Sequence, residues 1–184
     1  MPAGFNRIAF TPAVQAQQAR DGSRKAYARF DGAEDATDTL GMAEAHFIAA
    51  RDSFYMASVN ADGWPYIQHR GGPRGFLRVL SENEVGFADF SGNRQFISVG
   101  NLESNNRVSL FLMDYANRAR LKMFGRARVV DPADTAMLDK LVVPGYKAKV
   151  QRGMVVTLEG FDWNCPQHIT PRFTLEEIRA MSEA

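Results

Sequence analysis

The chain has 184 residues, 45% of them hydrophobic, so it is long enough to bury a full core as one domain. A formal net charge of +1 is too small for a sequence-independent grip on nucleic acid, and no apolar run approaches the ~18 residues of a membrane span. Lone Cys165 excludes an intrachain disulfide and cannot by itself build a zinc site, and Met1 to Ala16 lacks the apolar core of a signal peptide, so a reducing, cytoplasmic setting is expected.

Thr11-Pro12 reads as an N-cap with proline at the first helical position, opening a helix to about Arg20, and a second helix follows Gly22-Ser23 from Arg24 to about Phe30. Asp31 to Asp38 is acidic, lacks a large apolar residue and reads as a loop. Met42, Ala45, Phe47, Ile48 and Ala49 resume a helical period. From Ser53 the period becomes that of strands: Phe54 to Val59, then the hairpin turn Asn60-Ala61-Asp62-Gly63, then a strand from Trp64. Gly71-Gly72-Pro73 makes a corner before a short strand ending near Leu80, and Glu84 to Phe90 is the next strand after the turn-like Ser81-Glu82-Asn83.

Ser91-Gly92-Asn93-Arg94 breaks that strand, and Gln95 to Leu102 reads as a helix. Its first backbone N–H groups and positive dipole end lie beside Arg94, which suits a phosphate. After Asn105-Asn106, the run Arg107 to Met113 is too continuously apolar for a strand with one wet face and is expected to be central. Arg120 to Val130 alternates charged and apolar residues as a strand does, Asp131-Pro132 stops it, and Ala133 to Leu141 reads as a helix. Met154 to Asp162 is the last strand, leading into Trp163-Asn164-Cys165-Pro166-Gln167-His168, and Thr174-Leu175-Glu176-Glu177 matches the capping box of a terminal helix. The pattern is mainly β with flanking helices, and implies a small closed antiparallel barrel.

This order of elements, with Arg74-Gly75-Phe76-Leu77-Arg78-Val79 and Gly92-Asn93-Arg94-Gln95, resembles the pyridoxamine 5'-phosphate oxidase-like family of FMN-binding split barrels over roughly Ala45 to Val130. The corner His69 to Pro73 and the ending Cys165 to His168 resemble one branch of it. The resemblance implies a six-stranded antiparallel FMN-binding split barrel over residues 1–184, with an N-terminal helical extension over about 1–50. It also implies FMN as cofactor, a homodimer with the flavin sites at the interface, and an oxidoreductase of unknown small-molecule substrate.

Carried over residue by residue, the family's Arg-x-Val-Leu-Leu-Lys pattern falls on Arg74, Gly75, Phe76, Leu77, Arg78 and Val79. The final Lys is missing, and Arg78 stands one position earlier, on the other face of a strand. The Tyr-Thr pair falls on Ala88 and Asp89 and the Ser-Arg-Lys phosphate corner on Asn93, Arg94 and Gln95, while a flavin-ring Gln falls near Arg120 and a late Trp near Trp163. Two lysines are thus absent, but Arg74, Arg94 and Arg70 can hold a phosphate through charge-assisted hydrogen bonds. In place of the Arg-Leu-His stretch of true pyridoxamine phosphate oxidases stands Gln167-His168-Ile169-Thr170-Pro171-Arg172, which argues against vitamin B6 oxidation.

Without the resemblance, Arg70, Arg74, Arg78 and Arg94 read as solvated charges. His46, His69 and His168 are scattered and no metal is assigned, and Cys165 reads as a small buried hydrophobe. No catalytic residue emerges, as hydride or electron transfer by a flavin requires no protein nucleophile. The alternative to an enzyme is a sensor or carrier that binds flavin, deazaflavin or haem without turnover.

Overall fold

The structure is a computed structural model and describes residues 3–31, 36–163 and 165–183. Its strands are β1 Ser53–Val59, β2 Pro65–Gly71, β3 Arg78–Ser81, β4 Glu84–Phe90, β5 Arg107–Asp114, β6 Ala119–Val130 and β7 Val150–Trp163. They form one sheet of seven strands in the order β2-β1-β5-β6-β7-β4-β3, and every pair is antiparallel. The order is linear, so the barrel is split and not closed, and it has one strand more than the six expected. Helices flank the sheet: α1 Ala3–Ala9, α2 Pro12–Arg20, α3 Arg24–Tyr27, α4 Met42–Ala49, α5 Ile97–Ser104, α6 Thr135–Leu141 and α7 Leu175–Ser182. No helix among the described residues is long and apolar enough to cross a membrane.

Local chemistry explains most boundaries. The Asn60 carboxamide oxygen accepts the N–H groups of Asp62 and Trp64 at 3.0 and 2.8 Å, and Gly63 takes φ +87°, which closes the β1–β2 hairpin. Thr11 caps α2 by accepting the Val14 N–H, and Thr174 and Glu177 form a reciprocal capping box on α7. The central position of β5 follows from its alternation: Val108, Leu110 and Leu112 are buried, while Phe111 and Met113 on the other face are half-buried. Along β6, Leu121, Met123 and Ala127 point inward in the same way.

The main core fills the barrel with Phe54, Met56, Phe76, Leu77, Phe87, Leu110, Leu112, Leu121 and Met154 among others. Phe54 of β1 stacks on Phe76 at 5.6 Å and meets the edge of Phe87 of β4 at 5.2 Å, so the two ends of the open sheet curl toward each other across the core. A smaller cluster of Ala88, Val130, Leu141 and Val155 lies under α6. There Gly86 and Gly153 let α6 approach, since a Cβ on either would fall 2.6 and 2.5 Å from Leu141.

Several elements depart from expectation. Helix α5 starts at Ile97 and not Gln95, because Phe96 takes the left-handed conformation at φ +54°. Strand β7 begins at Val150, since its first residues complete the ladder with β4. Arg24 to Phe30 divides into α3 and a 3-10 turn over Ala28–Phe30. Of the acidic stretch 31–38, residues 32–35 lie outside the described residues, as does Asn164 of the later motif. Asp38 is buried, because its carboxylate accepts the backbone N–H groups of Gly4, Phe5 and Phe161. Helix α1 had no anticipated role, and this carboxylate docks it on β7. Cys165 is exposed and not a buried hydrophobe, since it lies beyond the end of the sheet at Trp163.

A second buried carboxylate ties α4 to the β5–β6 hairpin. Asp114 pairs with Arg51 at 2.8 Å, and Asn117 donates to it from its backbone and its side chain. Burial pushes this carboxyl up, but the Asn117 donors and the Arg51 guanidinium outweigh it and hold the pKa below its ordinary value. A carboxyl with a depressed folded pKa adds stability that is in place above its unfolded pKa and lost as pH falls through the folded one. Thermal melts from neutral to acid pH should therefore fall more steeply for the wild type than for Asp114→Asn. Parallel curves would remove Asp114 from the acid response.

Candidate functional site

The split between β2 and β4 opens into a small polar cleft where the 91–96 loop meets the start of α5. Gln68 and Arg70 line it from β2, Asp89 from β4, Asn93 and Arg94 from the loop, and Ser98 from α5, around a cavity of about 60 Å³. Strand β2 turns Tyr66, Gln68 and Arg70 toward the sheet and leaves Ile67 65% exposed, the reverse of an ordinary half-buried strand. That inversion places two polar groups at the cleft: Arg70, and Gln68, whose carboxamide oxygen accepts the Ser98 hydroxyl at 2.9 Å.

Electrostatics at the cleft centre on Asp89. Arg70 Nη1 bonds its Oδ1 at 2.6 Å, and Arg152 Nε of β7 lies 3.6 Å from its Oδ2. The Nε atoms of both arginines are buried with no hydrogen-bond partner among the described residues. Counting Arg94 on the loop, three arginines stand against one carboxylate, which leaves an excess of two positive charges at the cleft. Arg94 itself takes φ +61°, and Asn93 Oδ1 accepts the Gln95 N–H at 3.3 Å, so the loop is bent at successive residues. The unpaired N–H groups of the first turn of α5 open at the same place. A doubly charged anion of phosphate size suits this arrangement in charge, volume and donors.

The residues singled out in sequence are distributed over several sites. Asp89, Asn93, Arg94 and Gln95 meet at the cleft. Phe76, Leu77 and Ala88 are core side chains, each no more than 2% exposed. Gly75 takes φ +76° at the corner, and its N–H donates to the Arg51 carbonyl. Arg74 points away from the Arg94 loop, pairing with Glu176 of α7 at 3.7 Å beside Arg51, Asp114 and Arg172. Arg78 donates to the Val142 carbonyl after α6. Arg120 faces Met113 across the β5–β6 ladder, with its Nε buried and unbonded among the described residues. Trp163 donates its indole N–H to Glu44 at 2.8 Å and packs on the edge of Phe47 at 4.8 Å. Gln68, Ser98 and Arg152 had not been singled out, and only the inverted alternation of β2 could have pointed to the first of them.

Comparisons with known proteins agree with this fold. Residues 42–157 match the family model described as pyridoxamine 5'-phosphate oxidase. A candidate pyridoxamine 5'-phosphate oxidase from Lactobacillus delbrueckii superposes with a TM-score of 0.51 at 18% identity, covering 68% of this chain and 95% of its own. An FMN-binding protein from Syntrophomonas wolfei gives 0.50 at 11% identity over 80% and 97%. HupZ from Group A Streptococcus gives 0.50 at 14% over 73% and 100%. No curated protein matches the sequence.

Proposed function

The chain belongs to the pyridoxamine 5'-phosphate oxidase family, and from that premise we propose that it is an FMN-dependent oxidoreductase acting on a small molecule as a homodimer. The observation that carries the reading is the cleft at the β2–β4 split, with its excess of two positive charges beside the first turn of α5. FMN ends in a phosphate monoester of nearly two charges, and Arg70, Arg94 and the α5 N–H groups are the donors that would hold it. When bound, the flavin supplies hydride or electron transfer; this chain's residues bind and orient it and shape the polarity around it. The likeness to a protein described as FMN-binding leaves a carrier as the alternative outcome of the experiment below.

A cavity of about 60 Å³ takes the phosphate and not the ring system, which must then be covered by other surface. Tyr55, Trp64 and Ile67 on the β1–β2 hairpin are 40%, 74% and 65% exposed, and a second copy of the chain is the partner that would bury them in a symmetric dimer. Sedimentation of the purified protein, followed in the flavin's visible band, is expected to show FMN moving with a species of twice the chain mass, and denaturation is expected to release FMN and not FAD. Released FAD, a haem Soret band, or a monomer at micromolar concentration would each overturn the corresponding part. Bleaching of the bound flavin by a nicotinamide and its recovery in air would favour the enzyme over the carrier.

A further inference from the structure

We propose that Arg152 of β7 is a positioning residue for the anion cleft: it holds the 91–96 loop and keeps Arg70 available to a phosphate without lining the cleft itself. The proposal rests on the phosphate reading above and assigns a role to a side chain outside the Arg74 to Val79 and Gly92 to Gln95 motifs. Arg152 stands directly opposite Asp89 in the β4–β7 ladder, and its neighbour Gln151, not Arg152, lines the cleft. Its side chain is only 20% exposed, and its Nε has no hydrogen-bond partner among the described residues. A guanidinium this buried is kept in place by two contacts: the Asp89 carboxylate at 3.6 Å and the face of Phe96, with Cζ 4.8 Å from the ring centroid.

Each contact does something to the cleft. Phe96 and Arg94 both have positive φ, at +54° and +61°, a conformation that residues with a Cβ keep only when their surroundings impose it. The stack of Arg152 on Phe96 imposes it on the residue just before α5, and so sets where the first helical N–H groups and Arg94 point. The Asp89 contact acts on charge. With Arg70 at 2.6 Å as its sole partner, Asp89 would cancel that guanidinium and leave Arg94 alone to face the ligand; Arg152 shares the carboxylate and preserves the excess. Geometry and charge thus pass through one side chain.

FMN and riboflavin differ by the phosphate alone, so titrating both into apoprotein isolates the cleft. Wild type is expected to prefer FMN. Arg152→Gln is expected to weaken FMN by about tenfold or more with riboflavin unchanged, the scale of one charge-assisted hydrogen bond. Arg152→Lys keeps the charge but not the planar face and is expected to recover only part of the loss. Phe96→Leu, which leaves Arg152 in place, is expected to move the same way, and it tests the idea even where the arginine variants fold poorly. Unchanged FMN affinity in Arg152→Gln or in Phe96→Leu, equal loss of both flavins, or full recovery by lysine would overturn the positioning role. A wild type that does not distinguish FMN from riboflavin removes the phosphate reading itself, and the proposal with it.

Discussion

Replacing Asp38 by Ala is expected to lower unfolding stability by about 3–5 kcal/mol, and the melting temperature by roughly 10 °C. The carboxylate accepts Gly4 N–H and Phe5 N–H at 2.9 Å each and Phe161 N–H at 3.0 Å, all in a site where Asp38 is 8% exposed. Two of these donors belong to the first turn of α1, whose N–H groups have no partner within the helix. Alanine would leave all three donors buried and unpaired, because the helix sits too close to β7 for water to replace the carboxylate. A Cβ on Gly160 would fall 2.3 Å from Phe5 N, and one on Gly4 would fall 2.4 Å from the Glu159 carbonyl. Denaturant unfolding of Asp38→Ala beside the exposed control Asp139→Ala measures the difference, with the control expected within about 0.5 kcal/mol of wild type. A loss for Asp38→Ala of under about 1 kcal/mol would mean that Phe5 stacking on Phe124, at 5.0 Å, docks α1 without the carboxylate.

This same residue shows where sequence reading stops. Asp38 lies in an acidic stretch, and an acidic stretch in one dimension looks solvated; that it reaches back 33 and 34 residues to cap a helix is a tertiary fact. The sheet was far more legible, since β1 and β6 alternate along their length and the Asn60 to Gly63 turn fixes the first hairpin. The open edge was not, because closure depends on pairing between distant strands and no local pattern encodes its absence. The cleft was legible by half. Gly92 to Gln95 announces a break before a helix, and the structure puts that loop at the cleft. Which strand faces it is hidden: Arg70 and Arg74 are four residues apart, yet the Gly71 to Pro73 corner sends one toward Asp89 and the other toward Glu176. Arg152 offers no signal, since a single arginine at the start of a strand is common and only the β4–β7 register brings it to Asp89.

Among the four arginines of the central segment, Arg70 is expected to matter most to FMN affinity, then Arg94, with Arg74 and Arg78 far behind. Arg70 is 11% exposed, aligned by Asp89 and set with its Cζ 5.6 Å from the Phe87 ring centroid, so little conformational freedom is left to lose when a phosphate arrives. Arg70→Ala also strands Asp89 with a weaker hold from Arg152, turning a cationic wall toward neutrality. The expected cost is about 2–3 kcal/mol, near a hundredfold in dissociation constant. Arg94 is exposed on its loop and must be ordered on binding, so Arg94→Ala is expected to cost about 1.5–3 kcal/mol, with the lower end favoured as salt rises. Arg78 donates to the Val142 carbonyl and Arg74 pairs with Glu176, both away from the cleft, and alanine at either is expected to change affinity less than about threefold. Fluorescence titration of FMN into each apoprotein at one salt concentration gives the ranking. A larger loss from Arg74→Ala or Arg78→Ala than from Arg70→Ala would move the phosphate out of the β2–β4 split, toward the corner or toward α6 according to which arginine it follows.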